Sequence, residues 1–338
     1  MIGGEFDIAV TDIQNTDGQP LACLDIYSYS SGRAALYQIL NYLKNEKAVK
    51  HILLPDYLCS SVLIPVKALN LKFTFYQIDD NLELIKESFV KSYFAGTAIL
   101  IINYYGLKNL DNQVKAIREV DENAIIIEDD VQAYYEFMKP LINVDFKFTS
   151  LRKTFAIPDG GLVKTKFHLP IVDKPNTFGQ YKYAAALLKS MREGNFNDNI
   201  YLELFEKGED LIDVELECGM SHIANKLYSS VFEEHVKYMR INNANYLIKE
   251  LEKIGVTPIL SLNEDHVPLF IPIALENRDK VRNAMFKEQI FCPVHWPLEG
   301  LNIRRGKILA EKELSLIIDQ RYGLEEMNNI ITVLKKSL

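Results

Sequence analysis

Cysteine is scarce and scattered: Cys23, Cys59, Cys218 and Cys292 are the four in 338 residues, and no two form a Cys-x-x-Cys pair. That spacing argues against cysteine-held metal and against a disulfide framework. No His, Asp or Glu spacing marks a metal site either. Positive charge is not in excess, since 38 Lys and Arg stand against 46 Asp and Glu for a formal net charge of -8. A general nucleic-acid binder needs a basic surface, so that class is excluded as an expectation. No apolar run approaches the ~18 residues of a membrane span. The opening "MIGGEFDIAVTDIQ" shows no basic segment followed by an apolar one, so a cytoplasmic protein is expected. Neither Gly-x-Gly-x-x-Gly nor a P-loop pattern follows any strand-like run, which sets aside the common nucleotide folds. Repeats and low-complexity segments are absent.

What is present is an ordinary apolar content of 48% with 25% charged residues, in a chain long enough for two domains. Four short apolar runs punctuate the first half: "HILLP" (51–55), "FTFYQID" (73–79), "AILIINYYG" (98–106) and "AIIIEDD" (124–130). Runs of this kind suit strands buried on both faces of a parallel sheet. Helical patterns at 32–44, 60–69 and 109–119 lie between them. The alternation predicts a three-layer α/β/α domain with a mostly parallel sheet over residues 1–220. Residues 178–212 read as mostly helical. Ile241, Ala244, Leu247, Ile248 and Leu251 then recur at helical spacing up to Gly255, the mark of a long amphipathic helix. Strand-like 266–275 and 289–298, a helix near 278–287 and a last helix at 324–336 complete a smaller α+β domain over 221–338.

In an open parallel sheet, ligands bind beyond the carboxyl ends of the strands. The candidates there are Asp56 and Tyr57, Asn103 to Gly106, and Glu128 to Gln132. A carboxylate at the end of a buried strand is costly without a cation or proton donor, although such acids often merely cap the next segment. "SLRKTFAIPDGGLVK" (150–164) places Lys153 24 positions after Asp129, enough for a connection and a return strand in the same sheet. Gly160 and Gly161 permit a tight turn with close backbone approach. A strand-end acid, a lysine in a constrained loop and a Ser-Gly helix start at 31–32 match the needs of pyridoxal phosphate. That cofactor takes an amine, a carboxylate beside its ring nitrogen, and backbone amides for its phosphate. Lys153 alone would read as a surface lysine.

Ordered motifs along nearly the whole chain resemble the DegT/DnrJ/EryC1/StrS family of sugar aminotransferases. "SGRAAL" (31–36) is similar to that family's Asn-Gly-Thr-x-Ala-Leu phosphate loop, and residues 54–79 to its strand-helix-strand unit ending in Asp. "NYYG" (103–106) resembles His-x-Tyr-Gly, and "IEDDVQA" (127–133) resembles Ile-Glu-Asp-x-x-Gln-Ala. "KTFAIPDGG" (153–161) carries the lysine followed by Gly-Gly, "MSHIANKL" (220–227) resembles the Met-Ser-x-Ile helix start, and 314–336 the closing segment. The resemblance implies the aspartate-aminotransferase-like fold, pyridoxal-phosphate fold type I, and assigns roles. Lys153 would hold pyridoxal 5'-phosphate and act as acid/base. Asp129 would pair with the pyridinium nitrogen and Gln132 with the phenolic oxygen. Backbone amides of Gly32 and Arg33, with the Ser150 hydroxyl, would hold the phosphate. Arg152 could serve a phosphate, a substrate carboxylate or only the surface. His295 and Trp296 resemble a late loop near the active site.

Departures from the family pattern are specific. Arg33 replaces Thr, and Asn103, a candidate substrate contact, replaces His. Cys59 stands where an aromatic residue stacks on the ring, with Tyr57 as the nearby substitute. The Ser150–Lys153 spacing is two residues short. Glu217, in "ELECGM" (215–220), stands where an Asn reaches the partner subunit's phosphate. The expected activity is transfer of an amino group, from glutamate, to a keto-sugar on a nucleotide, for surface polysaccharide or related amino-sugar synthesis, in a cytoplasmic homodimer. A non-catalytic relative is the alternative that the departures motivate. A sugar dehydratase is a third reading, disfavoured because the family's dehydratases replace the lysine by histidine.

Overall fold

The computed structural model describes residues 1–9, 25–191, 198–298, 301, 303 and 305–338. The strands in chain order are β1 (Ile2–Gly3), β2 (Ile26–Tyr29), β3 (His51–Pro55), β4 (Lys72–Tyr76), β5 (Thr97–Ile102), β6 (Ile125–Asp129), β7 (Phe146–Ser150), β8 (Gly161–Thr165), β9 (Phe270–Ala274), β10 (Ile290–Phe291) and β11 (Glu313–Ile317). Seven of them form one sheet in the order β2-β8-β7-β6-β5-β3-β4. The ladders from β7 through β6, β5 and β3 to β4 are all parallel, while β8 runs antiparallel to both its neighbours. Every residue of β3 and β5 is buried, as expected of strands covered by helices on both faces.

Helices Gly32–Glu46 and Leu63–Ala68 pack into the main core with Ile39, Leu40, Ile52, Leu54, Ile99 and Ile127. A second cluster brings together Leu151, Phe155, Ala185, Phe205, Leu227 and Val236. Beyond it lies the smaller unit. β11 pairs antiparallel with β9, and β1 pairs parallel with β10. Helices Glu233–Lys253, Arg278–Lys287 and Leu324–Ser337 close over Ile271, Ile273, Leu314 and Leu316. Ile2 belongs to this third cluster and helix His222–Ser229 to the second, so packing crosses the division placed at residue 220 in both directions. Among the described residues no helix is long and apolar enough to cross a membrane.

Two glycines fix where β8 starts. Gly160 has φ +119°, a conformation that side chains resist, and its N–H donates to the carbonyl of Ser30 at 2.6 Å. A Cβ on Gly161 would stand 2.0 Å from the carbonyl oxygen of Ser31. The Gly-Gly pair therefore lets the chain that leaves Lys153 lie directly on the residue that caps helix Gly32–Glu46. Ser31 caps it, its hydroxyl accepting from the Ala34 N–H at 3.0 Å.

Candidate active site

At the carboxyl ends of β5, β6 and β7 a cleft of about 220 Å³ opens between the sheet and the smaller unit. Gly32, Arg33, Cys59, Asp129, Gln132, Ser150, Arg152, Lys153 and His295 all line it. Ile102, Val131, Phe148 and Phe270 supply apolar wall. The nine site residues come from five separate stretches because strand ends meet there, as the sheet topology requires.

Asp129 is the last residue of β6 and is buried, at 6% exposure. Its neighbours point the other way. Glu128 lies opposite Lys147 across the β6–β7 ladder, 3.2 Å from its ammonium, and Asp130 is 3.9 Å from the same group. That internal cluster takes up Glu128 and Asp130 as structure. Among the described residues Asp129 has no such cation; its carboxylate accepts one N–H, from Val131 at 2.9 Å. Burial pushes its pKa up to about 7, against the pull of that single hydrogen bond. It is an acid waiting for a proton or a cation on the cleft side.

Lys153 sits in the single turn Leu151–Thr154 that follows β7, beside β6. Its side chain is exposed to the cleft, and among the described residues its ammonium has no hydrogen bond or ion pair. Ser150, 5% exposed, also has a hydroxyl without a partner among the described residues. It lies against Gly32, whose added Cβ would meet the Ser150 Cβ at 3.2 Å. The first-turn N–H groups of Gly32 and Arg33 have no intrahelical acceptor, and the helix dipole adds to their attraction for an anion. Gln132 is held at one end: its Oε1 accepts from the Tyr105 N–H at 3.0 Å, which turns its NH2 group outward as a donor.

Two expected site residues are not brought to the cleft. Tyr57 is fully buried, its ring packed between Tyr104 and Trp296 at centroid distances of 5.6 and 5.1 Å. Its hydroxyl is engaged by the Tyr105 hydroxyl at 3.0 Å and the His295 carbonyl at 2.5 Å. Tyr57 therefore cannot stack on a ligand in the cleft, and Cys59 lines the place instead. Asn103 is also buried; its side-chain oxygen accepts from the Lys108 N–H and its own N–H donates to the Asp129 carbonyl. It fixes the strand end that carries Asp129, without reaching the cleft.

Glu209, from helix Asp198–Ile212, enters the cleft unforeseen. It lies 2.5 Å from Lys182, 3.3 Å from Arg152 and 4.0 Å from Arg33. Burial raises its pKa, but the Arg152 and Lys182 charges outweigh that and hold it at about 2. The Arg33 side chain turns away from its helix start to meet Asp213 at 2.7 Å. Glu217 stays outside the cleft and accepts from the Tyr37 hydroxyl. His295 is set by its Nδ1, 2.8 Å from the Ser315 hydroxyl, and by its N–H to Glu313 at 2.5 Å.

No family model matches the sequence, and no curated protein matches it by sequence. Solved structures do match the fold. The sugar aminotransferase CalS13 of Micromonospora echinospora superposes over 100% of both chains with TM-score 0.70 and 14% identity. Spr1654 of Streptococcus pneumoniae, assigned as a sugar aminotransferase and solved in its PMP form, matches 100% of this chain and 99% of its own with TM-score 0.73 and 15% identity. A DegT DnrJ EryC1 StrS aminotransferase of Brucella abortus matches 92% of this chain and 85% of its own with TM-score 0.63 and 16% identity. At such identities the likeness shows the fold, which is that of these aminotransferases.

Proposed function

We propose that this protein is a pyridoxal-phosphate-dependent aminotransferase. The observation that carries the reading is the pairing, in one cleft, of a buried acid without a cation and a free lysine amine: Asp129 and Lys153. The residues fit the cofactor group by group. Asp129 suits a protonated ring nitrogen, which would supply its missing cation. The Gln132 NH2 suits a phenolic oxygen. Ser150 and the amides of Gly32 and Arg33 suit a phosphate, and the apolar wall suits an aromatic ring.

The chemistry supplied by the bound cofactor is an aldehyde that captures amines and a ring that accepts electrons from the substrate carbon. Asp129 would hold a proton on the ring nitrogen, which keeps such a ring electron-poor. Lys153 would hold the cofactor through Nζ, and the same nitrogen, when free, would serve as the acid/base that takes up and returns a proton in the cleft. Phe148, Phe270 and Val131, as apolar cleft wall, would exclude water from a bound ring. The wider reading is a keto-sugar borne on a nucleotide as acceptor, glutamate as donor and a symmetric cytoplasmic dimer in amino-sugar synthesis. The sequence resemblance supports it, and the sugar aminotransferases among the structural neighbours support its sugar component.

Titration with pyridoxal phosphate tests this: the absorption band of the lysine-bound cofactor should rise in the wild type and be absent in Lys153→Ala. No band in the wild type at saturating cofactor would defeat the proposal. The second reading, a non-catalytic relative, is favoured by Glu209, which sets a full negative charge in the cleft. A wild type that shows the band yet yields no pyridoxamine form with any amino donor would select it.

A further inference from the structure

One buried acid is devoted to a histidine at the cleft wall. Glu313, the first residue of β11, is 0% exposed, and both of its carboxyl oxygens are directed at His295. Oε2 accepts the His295 backbone N–H at 2.5 Å, and Oε1 accepts the Ser315 hydroxyl at 2.5 Å. Ser315 in turn stands 2.8 Å from the His295 Nδ1. Glu313 and Ser315 are two residues apart on one strand, so their side chains share a face. The imidazole is walled by the rings of Phe270, Tyr105 and Trp296, with centroids 5.2, 5.7 and 5.2 Å away. A buried carboxyl is costly unless its oxygens are hydrogen-bonded, and here the bonds that satisfy it also fix one ring.

The direction of these bonds decides which ring nitrogen carries hydrogen. A hydroxyl has a single proton to give. Ser315 gives it to Glu313, so toward His295 its oxygen can only accept, and Nδ1 is the nitrogen that bears hydrogen. In the neutral ring Nε2 is then a bare lone pair. Among the described residues Nε2 has no hydrogen-bond partner, and His295 lines the cleft with its side chain 12% exposed. A nitrogen in that state accepts from an O–H and repels a carbonyl or ether oxygen. A ligand hydroxyl satisfies it, whereas a ligand without one leaves it unpaired, which is the kind of site that discriminates strongly.

We infer that Glu313 and Ser315 are positioning residues that lock His295 as a hydroxyl reader, its Nε2 accepting a hydrogen bond from a hydroxyl of the ligand in the cleft. That this hydroxyl belongs to the acceptor sugar rests on the aminotransferase reading; the accepting nitrogen does not. Nitrogen-15 spectra of the full-length protein labelled in histidine, with the His295 ring assigned by through-bond correlation, read the tautomer directly. At pH 8.5 the wild type should carry hydrogen on Nδ1 alone, and Ser315→Ala should show a mixture. Glucose 1-phosphate is the probe, and cyclohexyl phosphate, which keeps the six-membered ring and the charge but lacks the hydroxyls, is its control. Added with and without pyridoxal phosphate, the probe should move the Nε2 resonance and the control should not. By calorimetry the wild type should prefer the probe about fivefold or more, and His295→Phe and Ser315→Ala should each cut that preference at least about threefold. Hydrogen on Nε2 in the wild type, an Nε2 resonance that the probe leaves unmoved, or a preference unchanged in His295→Phe would overturn the inference, and the wild-type spectra decide even if a variant fails to fold. A missing cofactor band with the tautomer and the Nε2 response intact would sink the aminotransferase reading and leave the hydroxyl site standing; a cofactor band with hydrogen on Nε2 would do the reverse.

Discussion

Replacing Asp129 by Asn should make the cofactor-free protein more stable at alkaline pH while destroying its use for the cofactor. In the folded state burial holds the carboxyl at about 7, against an ordinary value near 4. The folded state therefore keeps a proton that the unfolded chain has lost, so this group's contribution falls as pH rises from about 4 through about 7. The full interval corresponds to roughly 4 kcal/mol, an upper limit because the site relaxes and admits water. Asn has the same shape and can still accept the Val131 N–H at the same oxygen, so the substitution removes charge and little else. Urea unfolding of the two proteins should show the variant's advantage growing between pH 5 and pH 8.5 by up to roughly 3 kcal/mol, since part of the interval from about 4 to about 7 is already crossed at pH 5. Saturating pyridoxal phosphate should reverse the order by stabilising only the wild type strongly. A variant no more stable than wild type at pH 8.5, or equally advantaged at pH 5, would refute the claim that Asp129 lacks a cation.

Other consequences are as concrete. Gly161→Ala would drive a methyl group into the Ser31 carbonyl; overpacking against backbone should cost about 3 kcal/mol or more in urea unfolding, and unchanged stability would contradict the described contact. Glu209→Gln should tighten binding of inorganic phosphate severalfold by calorimetry, since Arg33 and Arg152, which line the cleft, then lose that carboxylate. Because Glu209 is held at about 2, the wild type should lose its contribution as pH falls from about 4.5 toward 2. With the side chain 43% exposed, that contribution is below about 1 kcal/mol after solvent screening. Gln132→Leu should weaken cofactor binding and loosen the Tyr105 turn, whose N–H loses its acceptor; hydrogen exchange at Tyr105 reads the second effect.

The parts of this molecule that were legible from the chain are those governed by local pattern. Four apolar runs became β3, β4, β5 and β6, and helix 278–287 lies as read. Asp129 and Lys153 could be singled out because one ends a strand and the other follows one, and strand ends converge by topology. What eluded the reading was long-range or directional. Tyr57 and Asn103 lie near strand ends just as Asp129 does, but side chains alternate between faces, and theirs point into the core. Glu209 lies on a helix whose sequence gives no sign of what it reaches: it is an ordinary charged residue until the tertiary fold sets it beside Arg152. The function of Gly160 and Gly161 was visible as turn chemistry, though not that their partner would be Ser30 and Ser31, some 130 positions earlier.

The central claim, that Lys153 and Asp129 flank one cofactor, meets its most direct test in chemical trapping. Protein loaded with pyridoxal phosphate is reduced with borohydride and its peptides are weighed. The account predicts one stable phosphopyridoxyl adduct, on Lys153, formed with the wild type and much reduced in Asp129→Asn. An adduct on another lysine, or none on Lys153 at saturating cofactor, would contradict it.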